Sequence, residues 1–225
     1  MRGLFILALS LLSLNTFAAG SKIDIPKYDW SWKGFFGTYD RASAQRGLKV
    51  YREVCAGCHS MDLIAYRNLA DLGFSEDHIK AIAAEYLIPD GPNDEGEMFE
   101  REAIPSDRFA NPYPNVQAAR AANNGAYPPD LSLIVKARPK GADYLKALLL
   151  GYVEAPADKE IPEGQYYNKY MDGNLIAMPS PLSEGIVDYD DGTEATMDQM
   201  ATDVTTFLAW AAEPSLEDRK RIGLK

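Results

Sequence analysis

The 225-residue sequence predicts an all-α fold, and three observations lead there. Apolar residues recur at helical spacing in well-separated segments, clearest at residues 43–54, 75–87, 142–151 and 196–211. No stretch alternates apolar and polar residues strongly enough to build a sheet. Between the segments lie tracts rich in the 14 prolines and 17 glycines, which lengthen loops instead of adding elements.

In chain order, Met1-Arg2, the apolar run from Leu4 to Leu14 and the small residues Ala18-Ala19-Gly20 have the form of a secretory signal peptide. The apolar run is too short to span a bilayer, so residues 1–19 read as a cleaved signal and residues 20–225 as one domain. Export would place the mature chain in an oxidising compartment. From Ser43 to Val54, Ala44, Leu48, Tyr51 and Val54 fall near one helical face. In the next segment Ser75 is a cap, Ile79, Ile82, Ala83 and Tyr86 share a face, and Pro89-Asp90-Gly91-Pro92 ends the run. Residues 90–115 read as loop, and Val116 to Asn123 as a short helix stopped by Asn124-Gly125. Ala142 to Gly151 is a further helix, and residues 153–193 form a long ordered loop region. Thr196-Met197-Asp198-Gln199 has the form of a capping box, followed by Met200, Val204, Phe207, Leu208 and Ala211 on one face, and Pro214 stops that helix.

Formal net charge is −10, which argues against nucleic acid and for a cationic partner met under electrostatic steering. Asp94, Glu95, Glu97, Glu100 and Glu102 form the densest acidic cluster.

The first helix delivers Cys55-Ala56-Gly57-Cys58-His59, and these are the only two cysteines in the chain. A C-x-x-C-H run is the attachment signature of a covalent c-type haem. The spacing lets one turn present both sulfurs to one porphyrin edge, and the adjacent imidazole reaches the iron. A thioredoxin-like pair, a structural disulfide and half a zinc site are the competing readings. Zinc needs four ligands, and only His78 supplements these three residues.

An iron held by His59 needs a sixth ligand, and a methionine thioether there would raise its reduction potential. Met61 lies too near His59 to reach the far face, Met98 sits among acidic residues, and Met197 and Met200 read as helix core. Met171 and Met178 remain, with His78 as the rival. Met178 is favoured because Pro179 and Pro181 fix the backbone around it.

Several ordered motifs resemble the cytochrome c1 family, the haem subunit of ubiquinol:cytochrome c reductase: residues 55–61, Asp90-Gly91-Pro92-Asn93, residues 118–126 and Pro128-Pro129-Asp130-Leu131-Ser132. Ile176-Ala177-Met178-Pro179, Asp190-Asp191-Gly192-Thr193 and Trp210-Ala211-Ala212-Glu213-Pro214 continue the resemblance, which covers the chain from about Trp30. It implies a cytochrome c-like haem domain with long loop insertions and one haem c attached at Cys55 and Cys58. It further implies His59 and Met178 as iron ligands, Arg138 paired with a haem propionate, and Asn123, Pro129 and Tyr144 as pocket contacts.

The implied function is electron transfer from a Rieske iron-sulfur subunit to soluble cytochrome c, beside cytochrome b, at the periplasmic face of a bacterial inner membrane. Members of that family continue into a transmembrane anchor that this sequence does not contain, and Arg219, Lys220, Arg221 and Lys225 fit a basic juxtamembrane segment. A free monohaem carrier, a haem peroxidase and a haem sensor are the alternatives. A peroxidase would want an open distal position, and a sensor would usually be joined to a signalling domain.

Overall fold

A computed structural model describes residues 23–223, so the expected signal peptide and Lys225 lie outside the described residues. Helix α1 (Arg41–Val50) begins two residues earlier than its apolar pattern, because the Asp40 carboxylate caps it by accepting from Ser43 N at 3.0 Å. Ser75 caps α2 (Glu76–Ala84), Asn115 caps α3 (Val116–Ala122), and Thr196 caps α6 (Met197–Ala212). Between them stand α4 (Ile134–Ala137) and α5 (Ala142–Leu150), and α7 (Leu216–Gly223) follows Pro214. Only half of the expected capping box at α6 forms. Gln199 N donates to Thr196 Oγ1 at 3.1 Å, while the Gln199 side chain turns instead to Asp203 at 3.0 Å.

Two small hairpins depart from the strand-free expectation. β1 (Leu87–Asp90) pairs antiparallel with β2 (Phe99–Glu102), and β3 (Tyr166–Tyr167) pairs with β4 (Leu175–Ile176). Their strands have four and two residues, too few for an alternating pattern to stand out in the sequence. The first hairpin also shortens the second helix, since Leu87 joins a strand. A 3₁₀ segment at Tyr66–Leu72 and the helix α7 were likewise not evident from periodicity.

The core is the crossing of α1 on α6. Leu48, Tyr51, Met200, Val204, Phe207 and Trp210 are fully buried there, and the Tyr51 and Phe207 rings sit 5.7 Å apart. The helices approach so closely at Gly47 that a Cβ would lie 2.0 Å from the Asp203 carbonyl oxygen, which only glycine permits. Beside it the buried Asp203 carboxylate accepts from Arg46 Nε at 2.9 Å, Ser43 Oγ at 2.7 Å and Gln199. Burying a carboxylate is tolerable only with such partners. Arg46 also reaches Asp191 at 2.8 Å, tying the 188–193 loop to the crossing. Lys220 of α7 donates to the carbonyls of Trp32 and Gly37 at 2.7 and 2.8 Å and so closes the N-terminal segment over the C-terminal helix. Among the described residues, no helix is long and apolar enough to cross a membrane.

Candidate haem site

α1 does not stop before the cysteines but widens into a π turn over Tyr51–Cys55, closed by Ala56 N to Tyr51 O at 2.7 Å. Such turns recur at functional sites because the extra residue rotates everything that follows. The chain then tightens, and Cys58 N and His59 N both donate to Cys55 O, at 3.0 and 2.9 Å. Cys55 packs against the core with Val54 and Ala56 while Cys58 is exposed. The two sulfurs are thus presented from one turn at unequal depth.

Burial, and secondarily Cys58, push the Cys55 thiol up to about 12. A thioredoxin-like pair needs a depressed thiol, so that reading loses its chemistry. Both thiols are free, and among the described residues no cluster of His, Cys, Asp or Glu is arranged for a metal ion.

The imidazole of His59 is held by Pro129. Nδ1 lies 2.7 Å from the Pro129 carbonyl oxygen, and since a carbonyl can only accept, Nδ1 carries the proton and Nε2 keeps its lone pair. Burial lowers the His59 pKa against the opposing Pro129 hydrogen bond and Asp130 charge, favouring the neutral ring. A neutral imidazole with one nitrogen committed to a backbone acceptor is the form that ligates iron.

The loop behind that carbonyl is fixed by Asp130. Its carboxylate accepts from Ser60 Oγ at 2.8 Å, Asp62 N at 2.7 Å and Ser132 N at 2.8 Å, while Ser132 Oγ accepts from Leu63 N. Burial alone would raise the Asp130 carboxyl, but these hydrogen bonds outweigh it and hold it below the usual carboxylate range. Asp130, Ser60 and Ser132 lie within sequence motifs that assign them no role of their own, although Asp-x-Ser is a recognisable Asx turn.

The two candidate methionines lie in the later loop region. Tyr144, half-buried on α5, donates to Met171 Sδ at 3.6 Å. Burial raises the Tyr144 pKa and the nearby Arg138 charge opposes it, so these two expected pocket residues are neighbours. Arg138 is exposed at the end of α4, its guanidinium reaching the Ala137 carbonyl at 3.4 Å. Met178 is half-buried, two residues past β4, and its carbonyl accepts from the Tyr152 hydroxyl at 3.0 Å. Asn123 caps the end of α3 and donates to Tyr113 Oη at 3.2 Å, and Tyr113 in turn reaches Cys58 Sγ at 3.9 Å. The rivals fall elsewhere: His78 is exposed on α2, Met61 and Met200 are buried in the core, and Met98 is exposed.

The donor set of two free thiols, a neutral imidazole with a free Nε2 and two thioethers fits a c-type haem.

Comparison with known proteins agrees. Residues 30–225 match the model of the Cytochrome C1 family. The mitochondrial heme protein cytochrome c1-2 of Solanum tuberosum is 52% identical over 219 residues, covering 96% of this chain and 84% of that protein. The mitochondrial cytochrome b-c1 complex catalytic subunit of Candida albicans is 53% identical over 209 residues, covering 92% and 73%. A protein named cytochrome b/c1 from Bradyrhizobium diazoefficiens is 51% identical over 241 residues, covering 97% of this chain and 35% of its own length.

Proposed function

The chain belongs to the cytochrome c1 family, and from that premise we propose that it is the haem-bearing electron-transfer subunit of a membrane-associated cytochrome bc1 complex. It receives one electron from a Rieske iron-sulfur subunit, beside cytochrome b, and delivers it to a soluble cytochrome c. The signal-like residues 1–19 support residence at the periplasmic face of a bacterial inner membrane, with residues 20–225 as the haem domain. The observation that carries the reading is His59, whose Nδ1 is committed to Pro129 O at 2.7 Å on the turn that presents both cysteines.

When bound, a c-type haem supplies one-electron chemistry through its iron. The residues of this chain do the rest. Cys55 and Cys58 would hold the group covalently, and His59 and Met178 would be its iron ligands. Pro129 orients the imidazole, and the bond it accepts makes the ring a better donor to iron. Arg138 offers a guanidinium fork that would pair with a propionate and never loses its charge. Tyr144 and Asn123 line the pocket. The acidic residues of the β1–β2 hairpin and its turn, Asp94, Glu95, Glu97, Glu100 and Glu102, are all exposed and steer a basic cytochrome c.

The test is extraction and ligand challenge of the mature protein. Acid-acetone should leave the colour with the polypeptide, and carbon monoxide should not alter the ferrous spectrum if His59 and Met178 both ligate the iron. A freely extracted haem would defeat covalent attachment, and a carbon monoxide shift would defeat the filled distal position.

A further inference from the structure

We propose that Tyr152 is a positioning residue for the distal ligand: its hydroxyl, donating to the Met178 carbonyl at 3.0 Å, joins the loop that carries the thioether to the end of α5. The inference rests on the reading of Met178 as an iron ligand.

The donor is presented from a fixed place. Tyr152 follows Gly151, the last-turn glycine of α5, and forms an isolated antiparallel bridge with Asn168. Asn168 is fully buried, and both ends of its amide are satisfied, Nδ2 donating to Leu148 O at 2.8 Å and Oδ1 accepting from Tyr170 N at 3.0 Å. Gly151 permits this closeness, since a Cβ there would lie 2.5 Å from Asn168 Oδ1. Lys169 N closes the same corner on Gly151 O at 3.0 Å.

The acceptor, by contrast, has few ways to be held. The β3–β4 ladder ends at Tyr166↔Ile176, so Met178 lies beyond its last pair. Pro179 contributes no N–H, and the peptide joining residues 178 and 179 can be fixed only through its carbonyl. Tyr152 takes that one handle. Its ring stands in an open cleft with Tyr166, Tyr167 and Ser180, so residues before and after Met178 gather around the same side chain. With the ladder ending two residues before it and a hydroxyl on its carbonyl, that peptide has little freedom to carry the Met178 side chain away. The thioether then meets the iron with most of its ordering already in place, which is preorganisation of a ligand by its backbone.

The experiment compares Tyr152→Phe, Tyr167→Phe and Met178→Leu in the holoprotein. It follows the weak ferric charge-transfer band of sulfur ligation while imidazole is titrated as a competing ligand. Tyr152→Phe removes one hydroxyl from a half-buried ring and leaves the ring in place, so the variant folds. It should keep the band without imidazole, yet bind imidazole about fivefold more tightly than the parent, the scale of one net hydrogen bond. Tyr167→Phe, in the same cleft, should match the parent. Equal imidazole affinities in Tyr152→Phe and the parent would overturn the proposal, as would equal loosening by both tyrosine variants, which would mark a general effect of the cleft. Persistence of the band in Met178→Leu would instead overturn the ligand assignment itself, and is read independently of the tyrosines.

Discussion

On the His59 side of the site, the ligand, both cysteines and the turn that carries them span five consecutive residues, and the 129–132 loop clasps them through Pro129 O and the Asp130 carboxylate. On the Met178 side, the proposed ligand sits in a long insertion held by a two-pair ladder and one tyrosine hydroxyl. The first side joins the neutral His59–Pro129 bond to charge-assisted, partly buried hydrogen bonds at Asp130, each of the latter worth about 1.5–3 kcal/mol. The second depends on neutral bonds of about half that strength. The contrast suits the proposed one-electron site, in which covalent attachment would lock the histidine side and the thioether side would need only to be kept near.

The sharpest way to break this comparison is to exchange the methionines. Met178→Leu should abolish the sulfur charge-transfer band and lower the reduction potential substantially, because a thioether favours the ferrous state. Met171→Leu should do neither, since Met171 Sδ is engaged by the Tyr144 hydroxyl at 3.6 Å. Redox potentiometry and the ferric spectrum read both outcomes, and the opposite pattern would move the ligand to Met171 and redraw the distal side.

A smaller effect tests the clasp on the other side. Asp130→Asn removes a charge that three donors share, and should cost about 1–3 kcal/mol in a denaturant melt at neutral pH. The Asp130 carboxyl is held below its ordinary value in the folded protein. Its contribution is therefore present above the unfolded carboxylate pKa, and is lost as pH falls from there through the lower folded value. The variant and parent should accordingly converge in stability under acid. A constant gap at all pH values would show that the carboxylate's charge is irrelevant to the clasp.

The same contrast decides what the sequence could reveal. Helices α1, α2 and α5 were legible because each buries one face, while α6, whose residues 203–212 are all buried, was legible from its apolar spacing; α1, α2 and α6 also start at a side-chain cap. The cysteines and His59 were legible because their chemistry is a spacing. Asp130 was within reach, being the first residue of an Asx turn. Tyr152 was not, since nothing local distinguishes it from the chain's twelve other tyrosines, and its role arises from a contact 26 residues away. The hairpins were hidden for the same reason, because strands of two to four residues are set by partners and not by their own pattern. Arg138, Asn123 and Tyr144 came from family resemblance alone.

The smallest expected effect lies away from both axial sides, on the β1–β2 hairpin. Its turn is well built: Asn93 Oδ1 accepts from Glu95 N and Glu97 N at 3.1 and 2.8 Å, and Arg101 binds Asp90 and Asp107, so those two carboxylates are neutralised. The exposed Asp94, Glu95, Glu97 and Glu100 carry the remaining charge outward on an ordered frame. Steering by such a patch acts on encounter and not on the iron. Replacing these four residues by neutral amides should leave the haem spectrum and potential unchanged, slow bimolecular electron transfer to a basic cytochrome c at low salt, and flatten its salt dependence. At about 0.15 M ionic strength the screening length is roughly 8 Å, so the rates of variant and parent should approach each other as salt rises. An unaltered salt slope would reduce the hairpin to a solvated surface and put the docking face elsewhere. A shift in potential would instead show that the patch acts on the haem as well, and that encounter and axial ligation are not separable in this fold.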